Sequence, residues 1–138
     1  MTYADLKTKL DSAKTGTDIV QVVFDYTTYL NYGSKTYPLA LWDIGNATGT
    51  IDRREGVKEL NMDLWILTEV EPEDDVVNRH AAWDTIQTAF LEYIAEVDDQ
   101  DDLTVETTEP EFEHFPAGLL SLEREMAIRY RITLKLWC

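Results

Sequence analysis

The sequence predicts an α+β fold, a mostly antiparallel β-sheet with helices packed on one face and a long β-hairpin arm. Three observations carry this. In the run MAIRYRITLKLW, residues 126–137, Met126, Ile128, Tyr130, Ile132, Leu134 and Leu136 fall on one side, while Ala127, Arg129, Arg131, Thr133, Lys135 and Trp137 fall on the other. Leu60, Met62, Leu64, Ile66 and Thr68 alternate in the same way with Asn61, Asp63, Trp65, Leu67 and Glu69. Period two over such lengths marks strands with a buried face. Between them, Trp83, Ile86, Phe90, Tyr93 and Val97 recur at three- and four-residue steps, the spacing of a helix stripe. Long strands with helices set between and before them, rather than regular β–α alternation, indicate an α+β arrangement. The 138 residues suit one domain spanning 1–138, with no internal repeat or linker.

Each element follows from local pattern. Tyr3, Leu6, Leu10 and Ala13 make one side of a short amphipathic helix over 3–14, with Gly16 at or just past its end. Residues 19–32 match two templates. Ile19, Val22, Val23, Tyr26, Tyr29 and Leu30 fit a helix stripe capped by Asp18; Val20, Val22, Phe24 and Tyr26 fit a strand. β-branched and aromatic content favours a short strand at 20–25. Tyr37, Leu39 and Leu41 alternate with Pro38, Ala40 and Trp42, and Pro38 belongs at the strand's start or on an edge. Residues 44–56, with three glycines, make a hairpin arm or loop before the second long strand. The acidic segment Glu71–Asp75 leads into the main helix at 79–97, where acids suit the positive helix end. Leu103–Val105 is a short strand, and an irregular acidic stretch with Pro110, Phe112, Phe115 and Pro116 precedes the last strand.

Charge and composition exclude several function classes. The formal net charge is -15, and no Lys or Arg occurs between Ala81 and Glu123, where twelve Asp and Glu fall. Such a field repels phosphate backbones and argues against specific nucleic-acid binding, although it suits the wall of a channel through which DNA passes. No apolar run approaches the roughly 20 residues of a bilayer span. Without a signal-like apolar segment, the chain reads as a soluble product of the cytoplasm. Cys138 is the lone cysteine and forms no internal disulfide.

The residues that carry chemistry do not assemble into a reactive motif, so the expectation is a non-enzymatic protein without cofactor or metal. His80 and His114 have no Cys or His at ligand spacing. The DDQDD run at 98–102 lacks the alternation and distal glutamate of a calcium loop and reads as a solvated turn. GNATG at 45–49 is followed by no GK[ST] and no helix pattern, so it is not a phosphate loop. Ser12, Ser34 and Ser121 occupy no nucleophile elbow, and 27 acids make any one carboxylate pair uninformative.

Aromatic and arginine residues point instead to contacts between proteins. Trp83 is expected in the core. Trp65, Trp137, Arg129 and Arg131 fall opposite the Leu/Ile rows, and Trp42 is a candidate for the same face. That face either meets a neighbour or is covered by the chain's own acidic segment 106–121. Arg53 and Arg54 place two cations in the 44–56 arm of an acidic chain, where a neighbouring copy's stretch 98–113 could pair with them. The candidate subunit-interface residues are therefore Trp42, Arg53, Arg54, Trp65, Arg129, Arg131 and Trp137.

The element order resembles the small ring-forming proteins of tailed bacteriophages, in particular the tail-terminator and neck (head–tail connector) family. The features are the helix at 3–14, Val22-Val23-Phe24, the run TYPLALW at 36–42 opening a long hairpin, the Trp- and Phe-bearing helix at 79–97, and the arginine-bearing strand at 126–137. The resemblance implies a virion structural protein. It would be one subunit of a homo-oligomeric ring, commonly a hexamer, in the neck or tail, contacting other neck or tail proteins, with DNA passing through the lumen. Tail terminator, head-closure adaptor and extra tail ring all fit. The competing expectation is a small acidic cytoplasmic adaptor, or an inhibitor whose carboxylates mimic nucleic acid.

Overall fold

The computed structural model describes residues 1–27, 34–70, 76–115 and 125–137. The segment Glu71–Asp75, Pro116, Ser121 and Cys138 lie outside the described residues, as do Tyr29 and Leu30 of the helix alternative. The elements run α1 (Tyr3–Ser12), β1 (Gln21–Asp25), β2 (Leu39–Asp52), β3 (Val57–Glu69), α2 (Val76–Asp98), β4 (Leu103–Val105), β5 (Phe112–Phe115) and β6 (Glu125–Leu136). The fold is α+β with a mostly antiparallel six-stranded sheet. Residues 21–25 take the strand alternative.

The sheet order is β1-β2-β3-β6-β4, and β5 also pairs with β6. β1 joins β2 in parallel, and every other pairing is antiparallel. The two long periodic strands recognised from sequence lie side by side, from Lys58 against Leu136 to Glu69 against Glu125. β6 therefore reaches both ends of the sheet. Its outer edge takes β5 near residues 127–130 and β4 near residues 134–136.

Both α1 and α2 pack on one face. Leu6 and Leu10 from α1 and Ile86, Phe90, Tyr93 and Val97 from α2 join Met62, Leu64 and Ile66 of β3. From β6, the row Met126 to Leu136 completes this core, as its alternation requires. The rings of Phe90 and Tyr130 stack 3.7 Å apart, 4° from parallel, tying α2 to β6. Thr2 caps α1. Its hydroxyl accepts from the Asp5 N–H at 3.1 Å, and the Asp5 carboxylate accepts from the Thr2 N–H at 3.0 Å.

Among the described residues, the opposite face, here the outer face, carries a buried apolar cluster at one end. Val23, Leu39, Leu41, Trp65, Leu67 and Ala127 form a second buried cluster, flanked by Tyr37 and Phe115. Two expectations need correction. The acidic stretch before β6 is not wholly irregular, because Phe112–Phe115 forms β5 on the edge of β6. Trp42 is not on the outer face. It points toward the helices and is fully buried, with its indole N–H donating to the Tyr93 hydroxyl at 2.9 Å. A side chain enclosed in its own chain offers no surface to a neighbour, so Trp42 leaves the set of interface candidates.

Candidate subunit interface

The arm begins with a bulge. Asp43 faces Asp63, but the next registered pair is Thr48 with Asn61, so β2 carries extra residues between. Asp43, 1% exposed, holds this irregularity together. Its carboxylate accepts from the Gly45 N–H at 3.0 Å and from the Asn46 side-chain amide at 2.7 Å. Beyond the bulge, residues 48–52 pair with 57–61 to form the hairpin. A Cβ on Gly49 would lie 2.1 Å from the Glu59 carbonyl oxygen, so glycine is needed for the strands to approach. At the tip, the Asp52 carboxylate accepts from the Arg54 and Glu55 N–H groups. The Arg53 and Arg54 side chains make no ion pair among the described residues.

This geometry leaves a strand edge open. β1 covers β2 only from Leu39 to Asp43, and among the described residues no strand pairs with the outer edge of residues 44–52. Alongside that edge runs an apolar groove on the helix side, lined by Tyr3, Phe24, Ile44, Ala47, Ile51 and Leu60 among others. Ile51 is 66% exposed beside it.

At the far side of the sheet the two short strands differ. The outward N–H groups of β4 are satisfied within the chain, Leu103 donating to the Gln100 carbonyl and Val105 to the Asp98 carboxylate at 2.8 Å. The DDQDD turn thus caps β4, with Asp102 in a left-handed conformation at φ 61°. β5 has no strand beyond it among the described residues. Phe112 and His114 share the helix side with Tyr130 and Ile128, and Phe112 is 53% exposed. Glu113 and Phe115 point to the outer face.

On that face the remaining candidates divide. Trp65 is 4% exposed, covered by Phe115 at a ring separation of 4.8 Å and by Arg129, whose guanidinium lies 5.5 Å from the Trp65 ring and 5.2 Å from Phe115. Arg129 is also paired with Glu113 of β5. Arg131 reaches the largely buried Asp63 at 3.0 Å. Trp137, 37% exposed, lies under the Lys135 ammonium at 4.4 Å. The chain's own acidic stretch therefore engages Arg129 through β5. Arg53 and Arg54 stand apart from this group, at the hairpin tip. Trp83 is half-buried at the core's margin, edge-on to the exposed His114 ring at 4.5 Å.

In the sequence Phe112 is one aromatic in an irregular acidic stretch, and nothing in the pattern marks Ile51. The signal for β5 was present as Phe112, His114 and Glu113, Phe115 on alternate sides, but four residues flanked by prolines read as loop. Among the described residues, no group of three or more His, Cys, Asp or Glu side chains is placed to hold a metal ion. No described helix is long and apolar enough to cross a membrane. No protein-family model matches the chain, and no curated protein matches it.

Proposed function

We propose that the chain is a non-enzymatic structural subunit of an oligomeric ring in the neck or tail of a tailed bacteriophage. It would act there as a tail terminator or head–tail adaptor, with DNA passing through the lumen. The observation that carries this reading is the arm. Among the described residues, it presents two arginines without an ion-pair partner at the tip of a hairpin whose β2 edge has no strand partner, in a molecule of net charge -15. Exposed cations on one side and exposed carboxylates on another favour head-to-tail self-association, which closes into rings when the rotation permits. The helix-on-sheet arrangement and hairpin are also what the family resemblance implies, and a carboxylate-rich surface suits a DNA channel that must not bind its cargo.

The test is capture of partners. A tagged chain incubated with infected-cell extract should retain a portal, neck or tail protein. A second reading, an acidic inhibitor mimicking nucleic acid, draws on the exposed Asp99, Asp101, Asp102, Glu106, Glu109 and Glu111 around the β4 end. It requires capture of host nucleic-acid-binding proteins instead.

A further inference from the structure

We infer that neighbouring subunits join edge to edge, the open edge of β2 at residues 47–52 of one copy pairing with the outer edge of β5, residues 112–115, of a second copy. This deepens the ring reading above and rests on it. Four observations converge on the pairing.

The first is availability. β1 covers β2 at one end, and the DDQDD turn satisfies the outward groups of β4, yet residues 44–52 and β5 each have one edge without a strand partner among the described residues. Such edges are templates for added strands.

Strand direction is the second. β2 runs antiparallel to β3 and β3 to β6, so β2 runs with β6; β5 runs against β6. If the sheet continues from one copy to the next with the helices on the same face, β2 meets β5 antiparallel. That is the more stable ladder.

Third, charge follows from that direction. Antiparallel pairing sets the end of β2 beside the start of β5. Arg53 and Arg54 then lie alongside the exposed Glu109 and Glu111 of the neighbour.

The fourth is shape. Phe112 projects on the helix side of β5, its ring 6.1 Å from Tyr130. The apolar groove beside the β2 edge opens on that same side, between Tyr3, Phe24 and Leu60. Joining the edges carries the exposed Phe112 into the neighbour's groove, beside Ile51. The two edges are not level: Thr50 aligns through Glu59 with Lys135, and Glu113 aligns with Arg129, six residues further back along β6. A shift of roughly 20 Å per subunit follows from the strand rise. Closure then requires strands tilted to the ring axis, as in closed barrels.

The experiment is charge exchange on the whole chain, read by sedimentation and native mass. Arg53→Glu with Arg54→Glu should weaken association roughly tenfold or more, and Glu109→Arg with Glu111→Arg should do the same. The four substitutions together should restore assembly, and so should mixing the two double variants, since each then offers the other a complementary edge. Phe112→Ser should weaken assembly while leaving the monomer's far-UV spectrum unchanged. If the native chain assembles and the double variants assemble equally well, or if recombining the charges restores nothing, edge pairing is wrong and the ring reading survives. A native chain that stays monomeric and captures no neck or tail protein overturns both.

Discussion

The Tyr93 hydroxyl accepts a hydrogen bond from the Trp42 indole at 2.9 Å and donates one to the Leu10 carbonyl at 2.8 Å. One buried phenol on α2 thus satisfies the strand beneath it and the helix beside it. Tyr93→Phe keeps the ring and strands both partners. Each buried group left without a partner costs about 1–3 kcal/mol. Urea unfolding should show a loss of at least about 1 kcal/mol with an unchanged slope. A variant as stable as the native chain would remove this contact from the account of the core.

Tyr130 gives the opposite expectation. Its ring stacks on Phe90, but its hydroxyl is buried with no hydrogen-bond partner among the described residues. Tyr130→Phe should therefore be neutral or stabilising by up to about 1 kcal/mol. Thermal melts of the two Tyr→Phe variants, side by side, distinguish a satisfied phenol from an unsatisfied one.

The same phenols set an alkaline limit. Burial pushes Tyr93 and Tyr130 above the ordinary phenol value, and burial with the hydrogen bond to Glu125 does so for Tyr37. The folded chain favours the neutral form. This stability is complete below about pH 10, where unfolded phenols begin to ionise, and falls as pH rises further. The melting temperature should fall as pH rises above about 10, less steeply in Tyr130→Phe. A flat profile would contradict the burial of these groups.

Gly49→Ala tests the arm. Its Cβ has no room beside the Glu59 backbone, so the hairpin must shift, at a cost of about 1–3 kcal/mol if the strands stay paired. Hydrogen exchange should accelerate at residues 48–52 and 57–61 first, with α2 protected as before.

Arg131→Ala removes the partner of Asp63, a largely buried carboxylate, and should cost about 1 kcal/mol, a value moderated because Arg131 is half in solvent. Asp63→Asn in the same chain should recover part of it. Arg53→Ala, at the exposed tip, should leave unfolding unchanged within about 0.5 kcal/mol.

Much of the fold was legible because its central strands are long and asymmetric. β6 alternates apolar and polar residues for most of its length, and β3 does so until Trp65 and Leu67 break the rule. The run Leu39-Ala40-Leu41-Trp42 carries no such asymmetry. Both faces of β2 are buried there, Leu39 and Leu41 under the outer cluster and Ala40 and Trp42 under the helices. Alternation cannot say which face is which when both are apolar. β5 is hidden in the sequence for a different reason. It is four residues long, and it becomes a strand only by pairing with residues 127–130. The candidate interface was half legible. Two arginines in an acidic chain were visible; that the adjoining strand edge is open, and that Phe112 and the groove share one side of the sheet, required the pairing of strands distant in sequence.

The most direct test of the ring account is the native mass of the purified chain over a wide concentration range, with the particles imaged by electron microscopy. The account predicts one closed oligomer with a central opening that falls to monomer in the Arg53→Glu, Arg54→Glu chain. A native chain that remains monomeric at every concentration and captures no neck or tail protein would contradict it.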